Sequence, residues 1–329
     1  MFRLIRICGI FFVLIGTLCA NVPGEERITL YTSVPTRIMG EIENEFERRT
    51  SGVDLTVFRS GTGRITAKIA AERQAGEVKA DVIWLADFAY YETLKEEGLL
   101  LPYKTEAAEG IPKALQDADG CYYAARMVNS VIAYNTRFVK RPPSRWEHLL
   151  DRSWRGQVVM PNPLYSGASL DTVGAITMNY GLSYYRRLRE NRAVVVRGNT
   201  GAAGKVATGE FPIGVTLDYI VRDMKAKGSP IDIIYPADGA VVIPSPIGII
   251  RTTKQPDGAK KFLDFMLSTN GQKILREVGT FVPVRPTLAP PEGVPSLEQL
   301  LKSGLPTDWA YIRRNTKWLR DRFSTIMLD

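Results

Sequence analysis

Hydrophobic and polar positions along the chain alternate between two periodicities. Strand-like apolar runs occupy residues 27–34, 53–60 and 80–87. A helical pattern follows each run, and in the first pattern Ile38, Ile42 and Phe46 recur at helical spacing after Pro35. This strand–helix rhythm predicts a mostly parallel β-sheet flanked by helices. In such a sheet the strand-to-helix turns gather at one edge, where ligands bind.

A second series of the same kind lies between residues 129 and 250. Its strand-like pieces are residues 157–160, 193–198, 211–219, 230–236 and 239–244. Extended segments at residues 126–135 and 243–252 are suited to cross between the two series. We therefore predict an α/β chain of two lobes, each a mainly parallel sheet flanked by helices, with a ligand cleft between them. Residues 25–128 and 251–329 form lobe 1, and residues 129–250 form lobe 2.

The segment after the second series is helical and then rich in proline. Residues 257–279 have the pattern of a long amphipathic helix that breaks at Asn270–Gly271. A Pro-rich segment, residues 282–295, follows. We expect the last helices to pack back on lobe 1.

The N-terminus has the layout of a secretory signal peptide. Arg3 and Arg6 precede an apolar run at residues 7–18, which is short for a membrane span, and small Ala20 offers a cleavage site. We predict a signal peptide over residues 1–20 and a periplasmic protein. Lipid attachment at Cys19 is the alternative. In the mature protein Cys121 would then be the one free thiol, so stability must come from a core and not from disulfides.

Charge and composition exclude several classes of function. The net charge is +8 and falls to +6 without Arg3 and Arg6, but no basic run is interleaved with aromatic residues, so nucleic acid is not expected as a partner. The one histidine, His148, leaves no basis for a catalytic triad or a His-rich metal site. Cys121 has no base near it in sequence, and no nucleotide-binding fingerprint is present. We expect neither an enzyme nor a cofactor.

Two loops of small residues precede helices and are suited to hold an anion. They are Ser60, Gly61, Thr62 and Gly63 in the first series and Ser166, Gly167, Ala168 and Ser169 in the second. Uncovered N–H groups at a helix N-terminus bind negative charge. Either loop alone is compatible with an ordinary cap or turn. Two such loops at corresponding edges of facing lobes predict an anion site.

Other residues of the same edge complete the candidate site. The turns after the first and third strands contribute Ser33 and Asp87, and the strand at residues 213–216 is followed by Asp218 and Tyr219 at the start of a helix. Asp218 caps that helix or contacts a ligand; the sequence leaves both open. Arg59, Arg64 and Arg126 are the basic residues available to neutralise an anion, and the sequence does not tell which of them face inward.

These segments, in this order, resemble the solute-binding proteins of bacterial ABC importers. The resemblance is to the ferric-ion-binding branch, which also includes binders of thiamine, aminoethylphosphonate and sugar phosphates. It covers nearly the whole mature chain. The matching motifs are YTSVPT, RSGTGRITAKI, ADVIWLAD, LKEEGLL, WRGQVVMPNP, YSGAS, GEFPIGVTLDY and DGAKKFLDFMLSTNGQ.

The resemblance implies a type II periplasmic-binding-protein fold that closes on its ligand by a hinge. It also implies that Ser166, Gly167 and Ala168 hold a phosphate or another anion. Iron-binding members have two adjacent tyrosines where this chain has Asp218 and Tyr219. They often add a histidine after the first strand and a glutamate after the third, positions at which this chain has neither.

Fe(III) needs several anionic oxygen ligands, so a small phosphate- or phosphonate-bearing organic solute is the favoured ligand, with Asp218 on its polar remainder. The implied partners are an ABC permease in the inner membrane and its cytoplasmic ATPase, and the protein is expected to be a monomer. The first alternative is a ferric-iron-binding protein that uses Tyr219, Asp218 and Asp87. A sensory ligand-binding module is a further alternative.

Overall fold

The computed structural model describes residues 26–329, so the predicted signal peptide and Cys19 lie outside the described residues. The strands are β1 (Glu26–Thr32), β2 (Val53–Arg59), β3 (Val82–Trp84), β4 (Tyr123–Asn135), β5 (Val158–Pro161), β6 (Val194–Val196), β7 (Ile213–Leu217), β8 (Ile231–Ile234) and β9 (Val241–Ile249). The α-helices are α1 (Thr36–Arg49), α2 (Thr62–Gln74), α3 (Phe88–Glu96), α4 (Gly167–Tyr180), α5 (Ser183–Glu190), α6 (Asn199–Thr208), α7 (Asp218–Ala226), α8 (Pro256–Leu267), α9 (Thr269–Gly279), α10 (Leu297–Ser303) and α11 (Trp309–Met327). Short 3-10 helices cover Glu106–Ala108, Lys113–Leu115, Trp146–Leu150 and Arg152–Trp154.

The strands form one mixed sheet with the order β2-β1-β3-β9-β4-β7-β5-β6, and β8 also pairs with β4. The first parallel group is β2, β1 and β3, and the second parallel group is β6, β5 and β7. The long strands β4 and β9 run antiparallel to each other between the groups. They overlap the two segments, residues 126–135 and 243–252, that the sequence predicted to cross.

Parallel order follows from the strand–helix alternation, because a crossover helix returns the chain to the same end of the sheet. β1, β2 and β3 lead directly into α1, α2 and α3, and β5, β6 and β7 lead into α4, α6 and α7. The amino ends of these helices therefore gather at the carboxyl edge of each group. This arrangement places the candidate site.

Buried helix faces pack against the sheet, α1 against β2, α8 against β1 and α4 against β9. α1 buries Ile38, Ile42 and Phe46, the positions whose spacing predicted the helix, and Phe46 packs edge-on against Phe262 of α8 at 5.1 Å between ring centroids. α4 is buried over its whole first three turns, residues 167–177. A helix that is covered on all sides is held by packing more than by its own propensity.

The C-terminal part differs from the sequence-based prediction in two respects. The predicted break at Asn270–Gly271 lies at Ser268, whose hydroxyl accepts a hydrogen bond from the Gly271 amide at 3.1 Å and caps α9. α8 contacts β1 of the first part of the chain, as expected, and also β9. α11 contacts α3 of the first part, as expected, but it also packs against α4 and α5 of the second part.

Candidate functional site

A cavity lies where the strand-to-helix connections of the two parallel groups face each other. It has a volume of about 470 Å³ and is lined from the starts of α1, α2, α4, α6 and α7. The amino end of a helix carries unpaired N–H groups and the positive end of the helix dipole. Five such ends around one cavity favour a negatively charged occupant.

Half of the predicted ligand-contacting residues line this cavity. Those that line it are Ser33, Gly61, Thr62, Ser166, Ala168 and Tyr219. Those that do not line it are Ser60, Gly63, Asp87, Gly167, Ser169 and Asp218. The amide of Gly63 donates to the carbonyl of Tyr165 at 3.2 Å, and the amide of Ser169 donates to Ser166 Oγ at 3.2 Å. Both amides are used within the protein.

Ser166 is the central polar group of the second parallel group's loop. Its Oγ caps α4 and also accepts a hydrogen bond from Asn199 Nδ2 at 2.9 Å. The hydroxyl therefore accepts twice, and its own hydrogen has no acceptor within residues 26–329. Ser166 lines the cavity, so this O–H is placed to donate to an occupant. Capping and binding are compatible in this residue.

The loops of the two parallel groups meet at glycines. A side chain at Gly61 would overlap the ring of Tyr165. A Cβ at Gly167 would lie 2.5 Å from the carbonyl oxygen of Ala86 and 2.5 Å from Cβ of Asp87. Only glycine permits this approach. The structure thus brings the two predicted loops together, and it assigns to Gly167 a packing role at their junction.

The charged residues of the cavity wall are all arginines. Arg59, Arg126 and Arg197 line it, and no Asp, Glu or Lys side chain of the described residues does. Arg197 lies over the ring of Tyr165 at 4.6 Å, and Arg59 Nε donates to the carbonyl of Val34 at 3.3 Å. Arg64, the third arginine considered from sequence, is exposed and does not line the cavity.

Arg126 is the unusual member of this set, because its side chain is only 2% exposed. Its guanidinium lies over Phe281 at 4.2 Å, Trp84 at 4.9 Å and Tyr219 at 5.7 Å. Nε donates to Ser245 Oγ at 3.2 Å, and Nη1 has no hydrogen-bond partner among residues 26–329. Burial lowers the pKa of Arg126 to about 10. The group stays protonated at neutral pH and is a buried cation without a carboxylate bound to it.

Asp218 does not contact the cavity, which corrects the role expected for it on the ligand's polar remainder. Its side chain is fully buried. Oδ1 accepts from the amides of Asn129 at 3.1 Å and Tyr219 at 2.8 Å, and Oδ2 accepts from Asn129 Nδ2 at 2.8 Å, Arg222 Nη1 at 2.9 Å and Tyr235 OH at 3.0 Å. Its acceptor sites are filled by protein donors. Asp218 ties α7 to β4 and stabilises the fold.

Asp87 is likewise used within the protein. It caps α3 by accepting from the Tyr90 amide at 3.2 Å, and it is buried beside Asp171 of α4, whose Oδ2 accepts from the Phe88 amide at 3.4 Å. Burial raises the pKa of Asp87 to about 6, and burial together with the charge of Asp87 raises the pKa of Asp171 well above its ordinary value.

The alternative iron-ligand set is therefore not assembled at the cavity. Of Tyr219, Asp218 and Asp87, only Tyr219 lines it. Burial raises the pKa of Tyr219, and the nearby charges of Arg126 and Arg59 act against that shift. Within residues 26–329, no three His, Cys, Asp or Glu side chains are grouped so as to hold a metal ion.

Sequence reasoning missed one whole wall of the cavity, the turn between β6 and α6. This turn contributes Arg197, Gly198, Asn199, Thr200 and Gly201. Gly198 caps α6 without a side-chain hydrogen bond, so the first amides of α6 have no side-chain competitor there. The strand at residues 193–198 was predicted, and the same rule on strand-to-helix turns would have pointed to the residues after it. His148 and Cys121 lie outside the cavity wall.

The sequence of the chain is similar to the sequences of known proteins. Residues 77–315 match the model of the bacterial extracellular solute-binding protein family. The chain is 25% identical over 283 residues to Iron uptake protein A1 of a Synechocystis strain, which covers 80% of this chain and 78% of that protein. It is 24% identical over 266 residues to the putative 2-aminoethylphosphonate-binding periplasmic protein of Salmonella paratyphi A, with 74% and 73% covered.

A solved structure also shares the fold. The periplasmic binding protein AfuA from Actinobacillus pleuropneumoniae, solved with exogenous fructose-6-phosphate bound, superposes with a TM-score of 0.83. The sequences are 22% identical, and the match covers 93% of this chain and 99% of that one. The predicted fold class, that of type II periplasmic binding proteins, is thereby confirmed.

Proposed function

Because the chain belongs to the family of bacterial extracellular solute-binding proteins, we propose that it captures a small anionic organic solute that carries a phosphate or phosphonate group. The solute is then delivered to an ABC permease in the inner membrane, which works with a cytoplasmic ATPase. Capture requires no covalent step. Two relatives support the proposal. One is a putative 2-aminoethylphosphonate-binding periplasmic protein, and the other is a probable ABC transporter periplasmic-binding protein.

One observation carries the choice of an anion: the part of the cavity wall that residues 26–329 form contains three arginines and no acidic side chain. The helix ends around it add partial positive charge. Capture at micromolar concentration needs about 8 kcal/mol, and hydrogen bonds to a charged group contribute about 1.5–3 kcal/mol each. The O–H of Ser166, the free amides of α4 and α6 and the arginines supply enough donors for that.

Hinge closure is the proposed mode of capture. Lobe 1 is residues 25–128 with 251–329, and lobe 2 is residues 129–250. β4 and β9 carry the chain between the two parallel groups and are the natural bending elements. The contact of Gly167 with Ala86 and Asp87 joins parts of the chain assigned to different lobes. This contact is present in the structure, so in the proposed mechanism it belongs to the closed arrangement, where it would exclude water from the anion.

The proposed location is the periplasm. It rests on the predicted signal peptide, on the extracellular assignment of the family and on the periplasmic names of relatives. Among residues 26–329 no helix has the length and apolar character needed to cross a bilayer. Lipid attachment through Cys19 stays an open alternative.

Ferric iron is the second candidate, favoured by the names of relatives that take up or bind iron. Tyr219 is the residue that supports it, because a buried phenol beside Arg126 lines the cavity. Against it stand the three arginines, which repel a cation, and the engagement of Asp218 with Arg222. An iron bound directly would need several anionic ligands, and among residues 26–329 the cavity wall offers only Tyr219 of the expected set.

The proposal is tested with Ser166→Asp. Thermal-shift and calorimetric titrations of the mature protein with sugar phosphates, phosphonates and inorganic phosphate should identify at least one binder. In Ser166→Asp that binding should be lost, because Asp still caps α4 while its carboxylate repels the anion. Ser183→Asp adds the same charge at the start of α5, outside the cavity, and should bind as the parent does. Undiminished binding by Ser166→Asp would refute the proposed site.

A further inference from the structure

The positive charge of the cavity is divided between two places. The first, which we call the amide end, consists of Ser166, Gly198 and Asn199 with Arg197. Arg197 lies over Tyr165, whose ring also abuts Gly198, and Asn199 donates to Ser166 Oγ. These contacts join the starts of α4 and α6 into one donor group of a size suited to a single phosphate or phosphonate.

The second place, which we call the arginine end, consists of Arg126, Arg59 and Tyr219. Arg126 lies on β4 and is enclosed by the rings of Trp84, Tyr219 and Phe281. The charges of Arg126 and Arg59 both act on Tyr219. The two ends use different aromatic residues and different elements: Arg197 follows β6, whereas Arg126 belongs to a strand between the parallel groups.

Arg126 has no anionic partner within residues 26–329. Its Nε is used by Ser245, and Nη1 is buried without an acceptor. The buried carboxylate of Asp218, at the start of α7, does not serve as this partner, because it accepts hydrogen bonds from Arg222 and Tyr235. A buried and uncompensated charge is strongly unfavourable. Since Arg126 lines the cavity, an anionic group of the occupant is the partner that would complete its hydrogen bonds.

The size and lining of the cavity limit what that occupant is. A volume of about 470 Å³ is in the range of sites for whole small molecules. The absence of an acidic side chain from the described wall leaves an ammonium group of the solute without a counter-charge. A zwitterion such as an aminoalkylphosphonate is therefore a poor fit.

Resting on the proposed function, we propose that the solute carries two anionic groups and no ammonium group. A phosphate or phosphonate binds at the amide end, and a second anionic group, a carboxylate or a second phosphoryl group, pairs with Arg126 at the arginine end. Arg126 is then the residue that selects doubly anionic solutes over singly anionic ones. A guanidinium presents paired donors that match the geometry of either anion.

The test is a calorimetric comparison of two pairs of probes. 3-Phosphoglycerate and glycerol 3-phosphate share the phosphate and differ in the second anion; phosphonoacetate and 2-aminoethylphosphonate share the phosphonate and differ in the sign of the second group. The parent protein should bind the doubly anionic member of each pair at least about tenfold more tightly, the expected contribution of one charge-assisted pair. Equal affinities within both pairs would overturn the inference.

Variants assign the preference to Arg126. In Arg126→Met the affinity ratio of 3-phosphoglycerate to glycerol 3-phosphate should fall toward one, while Arg64→Met, an exposed arginine outside the cavity wall, should keep the parent ratio. Arg126→Lys retains the charge without the paired donors and should give an intermediate ratio; it serves as the test if Arg126→Met does not fold. A parent-like ratio in every Arg126 variant that folds would overturn the inference and leave the proposed function standing. Failure of all four probes, of inorganic phosphate and of the sugar phosphates and phosphonates in the first titration to bind would refute the proposed function itself.

Discussion

Asp171→Asn should make the protein more stable at neutral pH. Asp171 and Asp87 are buried next to each other between α3, α4 and α11, and the charged group that opposes them is Arg320 of α11. Burial raises the pKa of both carboxyl groups, and the charge of Asp87 raises the pKa of Asp171 further. Asn retains the oxygen that accepts from the Phe88 amide and removes the charge. The substitution therefore keeps the hydrogen bond and removes a buried carboxyl group together with its repulsion by Asp87.

The magnitude follows from the pKa of Asp171, which burial and the charge of Asp87 raise well above its ordinary value. The folded state therefore holds this proton up to a higher pH than the unfolded chain does. Each pH unit over which Asp171 is protonated only in the folded state costs about 1.4 kcal/mol of stability. Stability is lost as the pH rises from about 4, the ordinary value for Asp, through the raised pKa values of Asp87, about 6, and of Asp171. The variant should lack the part of this loss that comes from Asp171.

Urea unfolding between pH 4 and pH 8 measures the effect. We expect Asp171→Asn to raise the free energy of unfolding by about 1–3 kcal/mol at pH 7.5 and to change it little near pH 4. Asp308→Asn is the control, because Asp308 caps α11 from an exposed position and Asn caps nearly as well. A variant that is less stable than the parent at pH 7.5, or that has the same pH slope, would refute the argument.

Three further predictions concern the site. Asp218→Ala should cost about 3–5 kcal/mol of stability in urea unfolding, because it leaves Arg222 as an unpaired buried charge; a loss of solute affinity with unchanged stability would contradict the structural role given to Asp218. Gly167→Ala should lower solute affinity at least tenfold with a smaller change in stability, since the new Cβ meets Ala86 and hinders closure; parent affinity in a titration would show that this contact does not form. Ferric citrate should produce no tyrosinate absorbance band; a visible band that is absent in Tyr219→Phe would favour the iron alternative over the organic anion.

The order of strands and helices was predictable because the signal is local. Apolar alternation at residues 53–60 and helical spacing at Ile38, Ile42 and Phe46 each depend on neighbours a few positions away. The fold class follows from their alternation. The position of α11 was not predictable in this way, because contacts with α3, α4 and α5 depend on how distant parts of the chain assemble.

The candidate site was half predictable for a similar reason. Strand-to-helix turns locate Ser33, Gly61 and Ser166 at one edge without tertiary knowledge. Whether a polar side chain in such a turn faces the cavity is a tertiary property. The sequence contains both Asp218 and Arg222 at helical spacing, but it does not reveal that Asn129 and Tyr235 fill the remaining acceptor sites of Asp218.

The guanidinium of Arg126 bears on the state of the carrier before any solute arrives. Closing on an empty cavity would dehydrate this group and leave it without a counter-ion, whereas an opened cleft lets water solvate it. Ligand-free molecules should therefore stay in an open conformation, and only ligand-bound molecules should adopt the closed one. A permease that recognises only the closed conformation would then avoid hydrolysing ATP without transporting solute.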